Sequence, residues 1–204
     1  RNPADTIYGS EGPAIIYPDY KDVTIPANIA PLNYRYAMKG VRSARTTFSI
    51  DGKTLYFASD RKGGYGGIDI WKSELREGRW SNPVNLGPTI NTAGDETCPF
   101  IHFDNKTLYL ASTGHVGMGG SDLFCARLQE DGSWGTPQNL GYPINTSGNE
   151  SNLIVAPDGK TALFSSDILE GYGKQDLYSF VLPQEVQPSP VVYEEVFAQT
   201  PELE

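Results

Sequence analysis

The sequence predicts an all-β protein made of propeller blades, and three observations support this prediction. The 204 residues include 22 glycines and 15 prolines, which interrupt helices and mark turns. Apolar residues make up 38% of the chain and aromatic residues 11%, which is enough for a hydrophobic core. One nine-residue motif also occurs three times at nearly constant spacing. These features exclude a coiled coil and general disorder, and we expect negligible helix.

The repeated motif starts with aspartate and leads into an apolar run. Its first copy, Asp51–Ser59, reads Asp-Gly-Lys-Thr-Leu-Tyr-Phe-Ala-Ser, and it recurs at Asp104–Ser112 and Asp158–Ser166. The copies start 53 and 54 residues apart. A Gly-Gly-x-Asp-x-aromatic block and an Asn-Leu-Gly-x-x-Ile-Asn-Thr block follow in the same order in the first two copies. The ordered blocks predict three repeats, at residues 43–95, 96–149 and 150–182.

Each repeat divides into four short predicted strands. In the first repeat they lie at residues 46–50, 54–59, 68–75 and 80–86. Asp-Gly or Asp-Asn between the first two strands is a hairpin signal, because both residues tolerate positive φ. The second strand is apolar on both faces, which indicates that both faces are covered. Four antiparallel strands of this kind predict a propeller blade. Since closed propellers usually have about 4–8 blades, three visible blades predict a partial propeller or part of a larger one.

Three strings of residues in the first repeat carry a family resemblance. They are Asp-Gly-Lys-Thr-Leu-Tyr-Phe-x-Ser-Asp-Arg at 51–61, Gly-Gly-Tyr-Gly-Gly-Ile-Asp-Ile-Trp at 63–71, and Trp-x-x-Pro-x-Asn-Leu-Gly at 80–87. They resemble the repeats of TolB-like propellers, and in particular those of OmpA-family envelope proteins of Bacteroidetes. The resemblance covers residues 43–193. It implies a periplasmic or outer-membrane-associated module whose partners are envelope proteins, peptidoglycan-associated or secretion-related.

The segments that flank the repeats do not match them. Residues 1–42 predict an N-terminal tether and a Pro-rich extended segment, and residues 183–204 predict an extended C-terminal linker. With three blades the two outer sheet faces would be open, so we expect exposed apolar surface at Leu55–Ala58 and Ala162–Phe164. Blades of a larger protein, a strand lent by residues 23–29, or self-association would cover these faces.

Charge and cysteine content narrow the possible partners. The formal net charge is −9 and the sequence pI is near 4.7, so no basic face is available for nucleic acid. No stretch of the chain reaches the roughly 18 apolar residues that suggest a membrane helix. Cys98 and Cys125 fit either one disulfide or two free thiols, and the size of the chain favours free thiols.

Acidic residues recur at fixed positions of the repeat. They open the first hairpin at Asp51, Asp104 and Asp158, lie just before or within the third strand at Asp69, Asp122 and Asp176, and recur again at Glu96 and Glu150. One interpretation is a ring of ligands for a cation. The other is that each carboxylate accepts backbone N–H groups and holds a loop. Repetition favours the second interpretation, because a catalytic site is normally built once.

No catalytic constellation emerges from the sequence. Cys98 and His102 lie four residues apart in one strand, roughly 13 Å, which is too far for Cys–His catalysis. The acids outside the repeat pattern lie in charged turns, at Glu74, Glu77, Glu130 and Asp131. Nothing among them selects the pair of carboxyl groups that glycoside hydrolysis needs. We therefore predict no enzyme activity, no cofactor and no metal; the alternative is a carbohydrate-active hydrolase or glycan-binding protein built on a propeller.

The loops between the second and third strands are the predicted contact surface. They are long and glycine-rich, and they carry aromatic residues and methionine, which are enriched at interfaces. The candidate binding residues are Arg61, Tyr65, His115, Met118 and Tyr172. The alternative is that these side chains pack on neighbouring blades. The sequence thus predicts a non-enzymatic protein-interaction or scaffolding module of the bacterial cell envelope.

Overall fold

The computed structural model describes residues 46–167 and 174–191, which form three antiparallel sheets. All of them belong to the second of two units into which the chain divides, Leu32–Glu204. The predicted all-β fold of blade-like sheets is therefore confirmed. The predicted N-terminal segment, 1–42, lies outside the described residues, and the predicted boundaries of the three segments stay a prediction.

Each sheet is built from one repeat, and every pair of neighbouring strands is antiparallel. The first sheet contains β1 Thr46–Phe48, β2 Thr54–Ser59, β3 Asp69–Arg76, β4 Arg79–Trp80 and β5 Val84–Asn85, with β4 and β5 both paired to β3. The second contains β6 Glu96–Ile101, β7 Thr107–Ser112, β8 Asp122–Arg127 and β9 Gln138–Asn139. The third contains β10 Glu150–Val155, β11 Thr161–Ser166 and β12 Asp176–Val181.

The hairpin turns follow the sequence prediction, whereas the fourth strand departs from it. Gly52, Asn105 and Gly159 have φ of 67°, 55° and 69°, as Asp-Gly and Asp-Asn turns require. The predicted strand 54–59 coincides with β2. The predicted strand 80–86 is divided into β4 and β5. The reason is Pro83, which has no N–H to donate to a ladder and interrupts the pairing with β3.

Two buried clusters join the three sheets. The first contains Ala58 and Ile70 of the first sheet together with Leu108 and Leu110 of β7. The second contains Tyr109 and Ala111 of β7 together with residues of the third sheet, Leu153, Val155, Ala162 and Phe164. Successive residues of a strand point to opposite faces, so β7 serves both clusters. This is why its residues are mostly apolar, and it confirms for β7 that the second strand is covered on both faces. The equivalent strand of the third repeat, β11, is buried on one face only.

The prediction that the terminal sheets expose apolar residues is wrong for Leu55–Ala58 and correct only in part for Ala162–Phe164. All four residues of the first range are buried, and Phe57 is 0% exposed. On the side away from the second sheet, Leu55 and Phe57 form a third buried cluster with Trp71, against which Trp80 packs. In the second range, Ala162 and Phe164 are buried in the cluster shared with the second sheet. Leu163 between them is half-buried on the other face of the sheet, where Leu177 and Val181 of β12 are 68% and 71% exposed. The outer face of the first sheet is therefore covered where an open blade face was expected, whereas that of the third sheet exposes apolar side chains.

The residues after β12 turn back onto the second sheet. They form a short 3₁₀ helix, Gln184–Val186. The hydroxyl of Tyr109 donates to the carbonyl oxygen of Val186 at 2.6 Å, and the guanidinium of Arg127 donates to that of Gln187 at 2.6 Å. Residues 183–191, the first part of the predicted linker, are thus packed against the second sheet, which the sequence pattern did not indicate.

Asp104 helps to anchor this returning segment. Its carboxylate accepts hydrogen bonds from the N–H groups of Thr107 at 2.9 Å and Ser189 at 3.0 Å. Burial opposes ionisation of the carboxyl, but the His102 ring and the hydrogen bonds from Lys106 and Thr107 outweigh it and hold the pKa of Asp104 well below its usual range. Because the folded pKa is lower than the unfolded one, the stabilisation is complete well above about pH 4 and is lost as the pH falls below that value.

We expect Asp104→Asn to lower the free energy of unfolding by about 2 kcal/mol at pH 7 and by clearly less at about pH 2.5. Urea denaturation at both pH values measures the difference. The matched control is Asp158→Asn, at the same hairpin position of the third repeat, where the side chain is exposed and its hydrogen bonds are screened by water. A deficit of Asp104→Asn that stays constant in acid would contradict the prediction.

Candidate functional site

The predicted contact loops lie at one end of the sheets. The loops 60–68 and 113–121 join β2 to β3 and β7 to β8. Because β5 and β9 run antiparallel to β3 and β8, the connections that leave them, 86–95 and 140–149, start at the same end. The hairpins that open each sheet lie at the opposite end. The loops and the connections between sheets therefore form one continuous end of the structure.

A buried aspartate holds each of the two loops. Asp69 is 1% exposed, and its carboxylate accepts hydrogen bonds from the N–H of Tyr65 at 2.6 Å and from that of the next residue. Asp122 is 2% exposed and accepts from the N–H of Met118 at 3.0 Å and again from the next residue. Each carboxylate therefore fixes the loop backbone at the residue whose side chain was predicted to make contacts.

Buried glutamates hold the connections in the same way. Glu96 is 0% exposed. Its carboxylate accepts from the N–H and the hydroxyl of Thr92, both at 2.7 Å, and from the hydroxyl of Ser112 at 2.6 Å. Glu150 makes the equivalent bonds with the threonine and serine of the next repeat. The repeated glutamate thus ties the start of one sheet to the connection that leads into it.

Glycines let the two loops and the connection touch. A Cβ on Gly66 would lie 2.3 Å from the carbonyl oxygen of Thr92, and a Cβ on Gly94 would lie 2.8 Å from the Cα of Gly114. Real Cβ atoms do not approach backbone this closely, so these positions require glycine. Gly66 belongs to the first loop and Gly114 to the second. Both loops therefore pack on the same connection.

The loop surface consists of Tyr65, Val116 and Met118, whose side chains are 52%, 94% and 51% exposed. Tyr65 and Met118 were predicted, and they occupy the same position of the repeat. Tyr172 occupies that position in the third repeat and lies outside the described residues. Val116 was missed, although it stands where the first repeat has Gly63. That departure from the repeat is the signal that could have found it.

Arg61 and His115, the other predicted contact residues, pack within the loops and are only half-buried. The guanidinium of Arg61 stacks 4.8 Å from the centroid of the Phe57 ring. The Nε2 of His115 lies 2.8 Å from the carbonyl oxygen of Ile90, and its ring lies 5.3 Å from that of Phe124. His115 therefore packs on the neighbouring repeat, as the alternative interpretation has it, whereas Arg61 packs on β2 of its own sheet.

The aspartates that begin the repeated nine-residue motif lie at the end of the sheets opposite to the contact loops. Asp51, Asp104 and Asp158 each accept a hydrogen bond from the N–H of the lysine two residues further on, at 3.0, 2.9 and 2.8 Å. Each therefore closes its own hairpin turn. Asp176, the third-repeat equivalent of Asp69, is the first residue of β12.

A groove of about 470 Å³ runs along the first strands of the three sheets. Its lining residues are Thr46, Thr47, Cys98, Pro99, Phe100, Asn152, Leu153 and Ile154. The strands β6 and β10 bulge here, with φ of 52° at Cys98 and 58° at Asn152. Threonine, asparagine and apolar side chains give this groove an uncharged lining.

Cys98, Cys125 and His102, which were considered for catalysis, are all buried. Cys98 and Cys125 are buried and no disulfide joins them, in agreement with the thiols that the sequence favoured. Burial raises the pKa of Cys125 to about 11, so this thiol is protonated at neutral pH and is a poor nucleophile. His102 is 0% exposed, and its Nε2 lies 3.3 Å from the carbonyl oxygen of Ala156 in the third repeat.

Residues 46–167 and 174–191 contain neither a metal-binding cluster nor a membrane-spanning helix. No group of three or more histidine, cysteine, aspartate or glutamate side chains in this part of the chain could hold a metal ion. None of its helices is long and apolar enough to cross a membrane.

Comparison with known proteins finds similarity at the level of solved structures. No family model and no curated protein matches the chain. The crystal structure of TolB from Acinetobacter baumannii is similar with a TM-score of 0.48 and 15% identity, over 71% of this chain and 33% of that one. That of an alpha-L-arabinofuranosidase from Lactobacillus brevis is similar with a TM-score of 0.47 and 14% identity, over 76% of this chain and 55% of that one. The chain thus spans less than two thirds of either protein, and neither similarity decides its activity.

Proposed function

We propose that the chain is a non-enzymatic binding module that contacts other proteins through the loop surface. The observation that supports this most is the pairing of buried Asp69 and Asp122 with the N–H groups of Tyr65 and Met118. The side chains of Tyr65 and Met118 project into solvent from a backbone that is already held in place. A surface fixed in this way loses little conformational entropy on binding, so its contacts contribute more fully to affinity.

The proposed location is the bacterial cell envelope, in the periplasm or at the outer membrane. This part of the proposal rests on the repeat strings, which resemble those of OmpA-family envelope proteins of Bacteroidetes. The proposed partners are accordingly other envelope proteins, including peptidoglycan-associated or secretion-related ones.

A carbohydrate-active hydrolase or glycan-binding protein is the second candidate. Hydrolysis needs two carboxyl groups about 5–9.5 Å apart at one site. The groove along β1, β6 and β10 is lined by uncharged residues, and the buried Glu96 and Glu150 are engaged in hydrogen bonds that brace the sheets. These observations favour binding over hydrolysis. The exposed ring of Tyr65 can stack on a sugar ring as well as on a protein side chain. The test below therefore includes binding of a glycan as one of its outcomes.

The test compares wild type with the double variant Tyr65→Ser/Met118→Ser. A partner captured from envelope extract by the wild-type chain is purified, and its affinity for both chains is measured by calorimetry. We expect the double variant to bind at least about ten-fold more weakly, a loss of about 1.4 kcal/mol. The midpoint temperature of thermal unfolding should be the same for the double variant and wild type, because both replaced side chains are exposed.

The matched control is Val84→Ser, which removes an exposed apolar side chain from the outer strand β5. It should leave the affinity unchanged. Equal affinity of the double variant and wild type would contradict the loop surface as the binding site. Release of sugar from envelope glycans by the wild-type chain would favour the second candidate instead.

A further inference from the structure

The outer strands of the first and second sheets lead into segments of shared chemistry. Each segment reads Asn-Leu-Gly-x-x-Ile-Asn, at residues 85–91 and 139–145. The N–H of its leucine donates to the third strand of its own sheet, at the carbonyl oxygen of Ile70 at 3.1 Å in the first sheet and of Leu123 at 3.0 Å in the second. The segment therefore continues the strand addition begun by β5 and β9.

The second asparagine of the segment closes the same backbone position. The Oδ1 of Asn91 accepts from the N–H of Ile70 at 2.7 Å, and its Nδ2 donates to the carbonyl oxygen of Ile70 at 3.0 Å. Asn145 makes the same pair of bonds with Leu123, at 2.8 and 2.9 Å. The isoleucine just before each asparagine is 0% and 5% exposed. One residue of the third strand is thus recognised through both of its backbone polar groups.

Leu177 is the equivalent residue of the third sheet. It pairs with Ser165 of β11 as Leu123 pairs with Ala111 of β7. Ile70 and Leu123 are 0% exposed, because each lies in a cluster with the isoleucine of its own segment and with residues of the following sheet. Leu177 is 68% exposed. In the part of the chain that the structure describes, the third sheet has three strands and β12 forms its edge.

The described residues that follow β12, up to residue 191, do not take the fourth-strand position. Residues 183–189 pass back to the second sheet, where the carbonyl oxygens of Val186 and Gln187 accept hydrogen bonds from Tyr109 and Arg127. The N–H of Ser189 reaches Asp104, in the first hairpin of the second sheet. The direction of the chain therefore leaves the edge at Leu177 to another segment.

We propose that β12 binds an Asn-Leu-Gly-x-x-Ile-Asn segment of a partner protein, which adds a fourth strand to the three that the structure describes. This inference rests on the proposed role as a binding module but uses a surface separate from the loop surface. Strand addition takes its affinity from backbone hydrogen bonds and its register from side chains, here the two asparagines. The partner is a different protein and not a second copy, because a copy uses both of its own segments, 85–91 and 139–145, within its own sheets.

Charge agrees with this choice of partner. The exposed side chains along β12 are Leu177, Ser179 and Val181, none of which is charged. The segment is likewise uncharged at every position in both repeats. An acidic or basic segment would lose hydration at such an edge without gaining an ion pair.

The probe is a synthetic capped peptide with the sequence of residues 84–92, titrated into the full chain. We expect saturable binding of one peptide per chain. A peptide with both asparagines replaced by alanine should bind at least about ten-fold more weakly, because each asparagine supplies hydrogen bonds that fix the segment. A scrambled peptide should not bind. On addition of the peptide, the amide of Leu177 should become protected from hydrogen exchange.

Two variants connect the binding to the edge. Leu177→Asp changes an exposed side chain and should weaken peptide binding at least about ten-fold while the chain stays folded. Ser179→Pro offers a second disruption of the edge strand. Tyr65→Ser/Met118→Ser should bind the peptide as wild type does, so failure of the loop surface and failure of the edge site are distinguishable.

Three results would each overturn the proposal. The first is absence of peptide binding to the wild-type chain. The second is a Leu177 amide already protected in the free chain, which would show that a segment of the same chain occupies the edge. The third is a dimer in sedimentation that Leu177→Asp dissociates, which would assign the edge to a second copy.

Discussion

Replacing Glu96 with alanine should lower the free energy of unfolding by about 4 kcal/mol. The carboxylate is 0% exposed and accepts three hydrogen bonds, two from Thr92 and one from Ser112. Alanine leaves these donors buried without an acceptor, and one such donor alone costs about 1–3 kcal/mol. Thr92 lies in the connection and Ser112 in β7, so the change also loosens the junction between the first two sheets. Urea denaturation followed by tryptophan fluorescence measures the loss.

Three further variants serve as comparisons for Glu96→Ala. Glu150→Ala removes the equivalent carboxylate of the next repeat and should cost about as much. Glu96→Gln keeps one acceptor oxygen but turns an N–H₂ group towards the donors, so its loss should be intermediate. Glu130→Ala, at an exposed turn, should change the free energy of unfolding by no more than about 0.5 kcal/mol. A loss below about 1 kcal/mol for Glu96→Ala would show that other contacts hold the junction.

Replacing Gly66 with alanine should lower the free energy of unfolding by about 3 kcal/mol. The added methyl group would lie 2.3 Å from the carbonyl oxygen of Thr92 and 2.4 Å from that of Gly94. Both contacts are backbone atoms, and Thr92 is held in place by its hydrogen bonds to Glu96. The connection therefore cannot move aside as a flexible side chain would, and the loop that carries Tyr65 must shift. The midpoint temperature of thermal unfolding and the affinity for the partner should both fall.

The matched control is Gly132→Ala. At this position φ is +80° and no neighbouring atom lies within 4 Å of the added Cβ. The substitution thus introduces only the strain of a left-handed backbone, about 1–2 kcal/mol. The difference between the two variants isolates the close approach at Gly66. Equal losses for the two variants would mean that this approach is relieved without cost.

Local patterns predicted the strands where the pairing is simple. The Asp51–Ser59 motif placed β2 with its observed bounds, because a turn residue and an apolar run are both properties of neighbouring residues. The bulges at Cys98 and Asn152 and the division of the fourth strand at Pro83 were not predicted. Bulges depend on the register of a strand against its partner, and a single strand does not carry that information.

The candidate site was predicted only in part. Tyr65 and Met118 were selected with Arg61 and His115 because all four are aromatic, basic or methionine residues of glycine-rich loops. Only the structure separates them. His115 meets the carbonyl oxygen of Ile90, which is 25 residues away in sequence. Whether a loop side chain packs or projects depends on such distant contacts, which composition does not reveal.

The sequence by itself determined the all-β class, the three successive sheets and the positions of the aspartates and glutamates that brace them. These features depend on turn chemistry and on a repeat, both of which can be read along the chain. Only the tertiary structure decided which surfaces are open. Leu55–Ala58 was expected to be exposed and is buried, while Leu177 is exposed at an edge. The reason is physical: burial depends on what packs against a strand, and this is set by contacts distant in sequence. The returning segment is an example, since Val186 and Gln187 bind side chains of the second sheet while Pro188 lies beside Gly159 of the third.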